Sequence, residues 1–224
     1  MDVYAIPGFT EPVSSLSHLL GAGVFFVLGV FLVLKGRGSA ARVGSLFVLV
    51  FASVFLLSMS GTYHLLDQHA GREVMRRLDH AAIFVLIAGT FTPCHVLLFR
   101  RFWRWGGLAI IWVAAINGIV FKTIFFHDIP EWLGLAFYLA LGWMGLFSGS
   151  LIIRRYGLTF VRPLLYGALA YTFGAVLEFL RWPVLIEGVL GPHELFHLAV
   201  LAGLGWHWSF VASFADGRLP DARV

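Results

Sequence analysis

His193-Glu194-Leu195-Phe196-His197 carries two imidazoles four residues apart, a spacing that stacks them on one helix face where both can hold one metal ion. A third imidazole, His64, ends Ser60-Gly61-Thr62-Tyr63-His64, where the same spacing aligns a hydroxyl with the ring. Three histidine nitrogens with a fourth position left to water make a catalytic-type zinc sphere. Such a zinc lowers the pKa of its water toward about 7, and a neighbouring carboxylate or hydroxyl can aim that water at a carbonyl. Asp79, in Leu78-Asp79-His80, and Ser60 are the candidates for that role.

The elements that must position these groups are membrane helices. Of 224 residues, 59% are hydrophobic and only 12% charged, about half the charge of an ordinary soluble domain. Apolar runs of about 20 residues, long enough to cross a hydrocarbon core, recur throughout. Seven are predicted, over 17–34, 43–66, 79–98, 105–125, 132–152, 163–181 and 193–214. The fold class is therefore an all-α membrane protein, a seven-helix transmembrane bundle of one domain over residues 1–224, with a zinc site at one end. The first run lacks a basic leader and a cleavage site at the expected place, so it reads as a retained helix. A single cysteine, Cys94, excludes an internal disulfide.

Topology brings the chemistry together. Span 2 ends and spans 1, 3 and 7 begin on one membrane side, so Ser60, His64, Asp79, His193 and His197 share a depth, with His18 and Glu11 at the start of span 1. Lys and Arg favour the opposite side: the loops after spans 1, 3 and 5 and the C-terminal tail hold 11 of the 16. The positive-inside tendency then predicts a cytoplasmic C-terminus. A net charge of +4 suits loops beside anionic lipid headgroups and calls for no nucleic acid. Trp103, Trp105, Trp132, Trp182 and Trp206 fall near span ends as interfacial anchors, and glycines such as Gly21, Gly23, Gly29, Gly142, Gly145, Gly149, Gly167 and Gly174 suit close helix approach.

Plainer roles compete for several of these residues. Asp79 could cap the third helix and Ser60 could be a small packing residue. His69, His80, His95, His127 and His207 read as ordinary hydrogen-bonded histidines and Asn117 as an interhelical hydrogen-bonding residue, while Glu178 and Arg181 could pair with each other at helical spacing or touch the site entrance and take no assigned role. His18 is either a supporting group or an alternate ligand.

Ser60-x-x-x-His64, Asp79 and His193-x-x-x-His197 together resemble the three motifs of the hemolysin III and adiponectin-receptor (progestin and adipoQ receptor) family, within the superfamily that includes alkaline ceramidases. Ala88-Gly89-Thr90-Phe91-Thr92-Pro93, Leu141-Gly142-Trp143 and Tyr171-Thr172-Phe173-Gly174 extend the resemblance along nearly the whole chain. Bacterial members share a Glu-x-x-Asn-x-x-Thr-His pattern near the N-terminus; Glu11 and His18 match it, and the asparagine is absent. The resemblance implies a multi-pass protein of a bacterial-type cell membrane, with zinc held by His64, His193 and His197, Asp79 contacting the zinc-bound water and Ser60 close by. The activity implied is hydrolysis of a lipid amide or ester, with membrane lipid as partner and substrate. A receptor-like protein with structural zinc is the alternative. A metalloprotease using Glu194 as base ranks lower, because His64 already supplies a third ligand. Pore formation lacks a conductive polar stripe, and bis-histidine haem fits the Ser and Asp neighbours less well than zinc.

Overall fold

The computed structural model describes residues 3–67 and 70–222 and leaves His69 outside them. Among the described residues eight α-helices form: α1 Pro12–Lys35, α2 Ala40–Leu65, α3 Ala70–Leu98, α4 Arg101–Ile124, α5 Glu131–Trp143, α6 Gly145–Tyr156, α7 Leu158–Leu180 and α8 Pro192–Ala212. Helices α5 and α6 meet at Met144 and make one span over Glu131–Tyr156, so seven helical segments are long and apolar enough to cross a membrane. The described residues contain no strand, only isolated bridges at Ile6 with Phe9 and Ile186 with Leu190.

Most helices pack chiefly on their sequence neighbours; α5 instead also lies against α3 and α7, and α8 returns to touch α1 and α3. Helix α3 is the most enclosed. One core gathers fully buried Leu46, Leu49, Leu57, Leu204 and Phe214; a smaller one forms around Phe84, Ile111 and Leu141. In lipid the close fit itself, rather than escape from water, holds helices together, so small residues at crossings matter. A Cβ on Gly61 would sit 2.6 Å from Leu19 Cγ and 3.1 Å from the Leu19 backbone nitrogen, and one on Gly174 would meet Ala199 Cβ at 2.6 Å. Of the glycines read as packing residues, Gly21, Gly29, Gly145, Gly167 and Gly174 do face a neighbour, while Gly23, Gly142 and Gly149 face open space. The five tryptophans expected at the interfaces are all exposed.

Several expectations need correction. Helix α3 begins at Ala70, not at 79, so Asp79 is no helix cap but lies on its third turn. A hydropathy reading stops where charges begin, whereas the backbone continues, with Glu73 and Arg77 pairing at 3.5 Å across one helical turn. Likewise α1 begins at Pro12, and His18 is in its second turn. Asn117 does not bridge helices: it is exposed and its Nδ2 donates to Val113 O on its own helix at 2.8 Å. Glu178 and Arg181 do not pair either. Arg181 ends α7 in a left-handed conformation that swings it toward Glu131, at 3.1 Å.

Candidate metal centre

Two helix ends build the centre. Helix α2 delivers His64 in its last turn, and Gly191-Pro192 starts α8 so that His193 and His197 occupy successive turns. Proline suits that first turn because its missing N–H would have had no helical partner there. Glu194 secures the same start: its Oε2 accepts from the Gly191 N–H at 2.9 Å, and its Oε1 accepts from Ser14 Oγ at 3.1 Å. One oxygen of this buried carboxylate thus caps α8 and the other holds α8 against α1.

The three rings converge. One ligand atom from each of His64, His193 and His197 can be chosen so that all lie within 4.8 Å of one another. His64 and His197 are buried, while the His193 side chain is 39% exposed. His64 Nδ1 lies 2.5 Å from Glu11 Oε2 and His193 Nδ1 lies 3.2 Å from Glu178 Oε1. A carboxylate accepts and does not donate, so each ring carries its proton on Nδ1 and turns the lone pair of Nε2 inward. Those two Nε2 atoms are 3.4 Å apart. Two facing lone pairs at that distance repel, and either a proton on one Nε2 or a metal ion between the two relieves the repulsion. Zinc bonded to nitrogens at about 2.0–2.1 Å in tetrahedral geometry would hold them roughly 3.3–3.4 Å apart, so the observed spacing fits the ion.

Further groups frame the trio. Arg72 pairs with the second Glu11 oxygen, donates to Leu66 O at 2.6 Å and lies over the Tyr63 ring. Burial alone would raise the Glu11 pKa, yet the hydrogen bond and charge of His64, then those of Arg72, bring it down to about 2. Glu11 therefore remains a carboxylate. His18 stacks on His197 with ring centroids 3.9 Å apart, and neither of its buried nitrogens has a partner among the described residues.

Ser60, His64, Asp79, His193 and His197 all line one cavity of about 1100 Å³, which runs between α3, α5, α7 and α8. Asp79 is buried, with Oδ2 3.5 Å from His80 Nδ1, and Ser60 is buried one turn before His64. Much of the wall is apolar, with Leu86, Ile87, Leu139 and Val200 among its residues. The histidines expected to be ordinary have ordinary partners: His80 on Arg76 O, His95 between Trp103 O and Ser148, His127 near Glu73 and Arg77, and His207 near Leu164 O. The roles of Glu11, Glu178 and Arg72 were not legible beforehand. Glu178 did carry a signal, since an ionisable residue inside a span usually faces a partner.

The fold and centre define a class: a seven-helix, multi-pass integral membrane protein with a histidine cluster at one end of an internal cavity. The model of the haemolysin-III-related family matches residues 8–208, and the chain belongs to that family. It is 31% identical over 196 residues to Hemolysin-3 of Bacillus cereus, covering 86% of each chain. It is 29% identical over 196 residues to the Hemolysin-3 homolog of Bacillus subtilis (strain 168), covering 86% of this chain and 88% of that one.

Proposed function

We propose that this chain is a zinc-dependent hydrolase of a lipid amide or ester, with His64, His193 and His197 holding the zinc. The observation that carries the reading is the pair of inward Nε2 lone pairs, each fixed by a carboxylate behind it, at the head of an acyl-sized cavity. Zinc bound there would polarise the carbonyl and bring the pKa of water toward about 7. Asp79 takes the proton of the attacking water and returns it to the leaving amine or alcohol as the acyl bond breaks. The Ser60 hydroxyl orients that water, and the apolar wall takes the chain and excludes bulk solvent. A volume near or above the usual 300–1,000 Å³ of small-molecule sites suits a ligand with a long tail.

The commitment of both Glu194 oxygens to Ser14 and Gly191 argues against a protease in which Glu194 is the base. Metal analysis tests the reading. Wild-type protein is expected to hold one zinc that both His64→Ala and His197→Ala lose. Asp79→Ala is expected to keep the zinc and lose about 100-fold or more in fatty-acid release from a panel of N-acyl and O-acyl lipids. Zinc retained in either histidine variant removes that residue from the ligand set. Stoichiometric zinc with no release from any lipid favours a receptor-like protein with structural zinc.

A further inference from the structure

Two cations at the same end of the cavity have no part in the zinc chemistry. Lys122, in the last turn of α4, lines the cavity and is only 6% exposed. A lysine near a helix end in a membrane ordinarily extends its ammonium outward to the headgroup region. This one turns inward, into room left by α5: a Cβ on Gly134 would stand 3.2 Å from its Nζ. Arg76, also on the cavity wall, shares with Lys122 the ring of Phe126, whose centroid lies 5.2 Å from the arginine Cζ and 5.1 Å from the lysine Nζ.

Among the described residues neither cation forms an ion pair, and most of the carboxylates around this end are held by other groups. Glu73 holds Arg77 and His127, Glu131 holds Arg181 and Glu178 holds His193, while Asp79 stays free for its proposed role as base. Burying the Lys122 cation without a counter-ion is costly, and half-buried Arg76 beside it compounds the cost. The arrangement calls for an anion from outside the chain. Both cations line the same cavity as the histidines, so a lipid with its acyl chain along the apolar wall would bring its headgroup toward them.

We propose that Lys122 and Arg76 form a headgroup subsite for a carboxylate or phosphate, so that the substrate is an acyl lipid with an anionic leaving group. The inference rests on the hydrolase reading for the word substrate, and on the cation pair for the word anionic. An N-acyl amino acid is the simplest member of the class. Water adds to its acyl carbon, the C–N bond breaks, the fatty acid departs as carboxylate, and the amine takes up the proton.

Binding of two lipids with one acyl chain tests it, using the full chain in zwitterionic nanodiscs: N-oleoylglycine, which is anionic, and N-oleoylethanolamine, which is neutral. Displacement of a fluorescent acyl probe is expected to show the anionic lipid binding at least about tenfold tighter, a factor equivalent to ~1.4 kcal/mol. Lys122→Gln is expected to bring the two within about twofold while leaving the neutral lipid's affinity unchanged, and Lys122→Arg to retain the preference. Equal binding by wild type, binding of neither lipid, or a preference that survives both Lys122→Gln and Arg76→Gln overturns the subsite. Inorganic phosphate is the third probe. Lys122-dependent stabilisation by phosphate without any preference between the lipids would assign the cations to a free small anion and overturn the lipid assignment. Oleate release, followed in the same samples, separates the two readings: preference without release removes hydrolysis and leaves the subsite, and release without preference does the reverse.

Discussion

At His64 and at His193 one ring nitrogen faces a carboxylate and the other faces the cluster. The carboxylates come from opposite directions, Glu11 from ahead of α1 and Glu178 from the end of α7. Removing such a partner frees the ring to rotate and to change tautomer, which typically weakens metal binding 10- to 100-fold. Glu178→Ala is therefore expected to lower zinc affinity by about that factor in a chelator competition, whereas Glu187→Ala, an exposed carboxylate on the connection before α8, is expected to leave it unchanged. Equal affinity in both variants would mean that the His193 contact orients nothing. The histidines themselves were readable from the sequence, because helical spacing and alternate spans place them at one depth. Their carboxylate partners were not, since each pairing depends on how separate helices pack, and Glu178 looked equally able to meet Arg181.

The start of α8 shows how one helix end serves both fold and site. Glu194 sits between the two histidines and completes a protease-like spelling, yet it caps the Gly191 N–H and receives the Ser14 hydroxyl. Glu194→Ala is expected to cost about 1 kcal/mol from the lost cap, read as a lower unfolding midpoint in detergent, with Glu194→Gln largely restoring it. Loss of lipid hydrolysis in Glu194→Gln with zinc still bound would instead return Glu194 to a catalytic role. Between α1 and α2 the limit is space. Gly61→Ala would press a methyl into Leu19 and is expected to destabilise by roughly 1–3 kcal/mol. Spans were legible to within a few residues where apolar runs met loops, and least so at α3, whose charged first turns are helical without being hydrophobic. The placement of Asp79 on a cavity wall instead of at a helix cap follows from that extension.

Across the whole molecule, the histidine end and the basic loops lie at opposite ends of the bundle. If the positive loops lie in the cytoplasm, as the positive-inside tendency predicts, the centre would face outward. Cys94 is buried, so single cysteines introduced at exposed sites report the orientation. A membrane-impermeant maleimide is expected to label Glu187→Cys in intact cells and Arg218→Cys only after lysis; the reverse pattern would invert the assignment. Positive-inside counting supplies only that expectation of orientation, and the cavity belongs to the packing of α3, α5, α7 and α8 and leaves no linear trace. The contact between Ser14 and Glu194 spans 180 residues, and that between His64 and His193 spans 129. During synthesis α2 therefore enters the bilayer carrying one imidazole of the three, and the other two arrive only with α8. A chain stopped before α8 has one of the three candidate ligands and no partner for Ser14, so metal uptake, if the cluster binds zinc as proposed, would certify that every span has been made and has closed into the bundle.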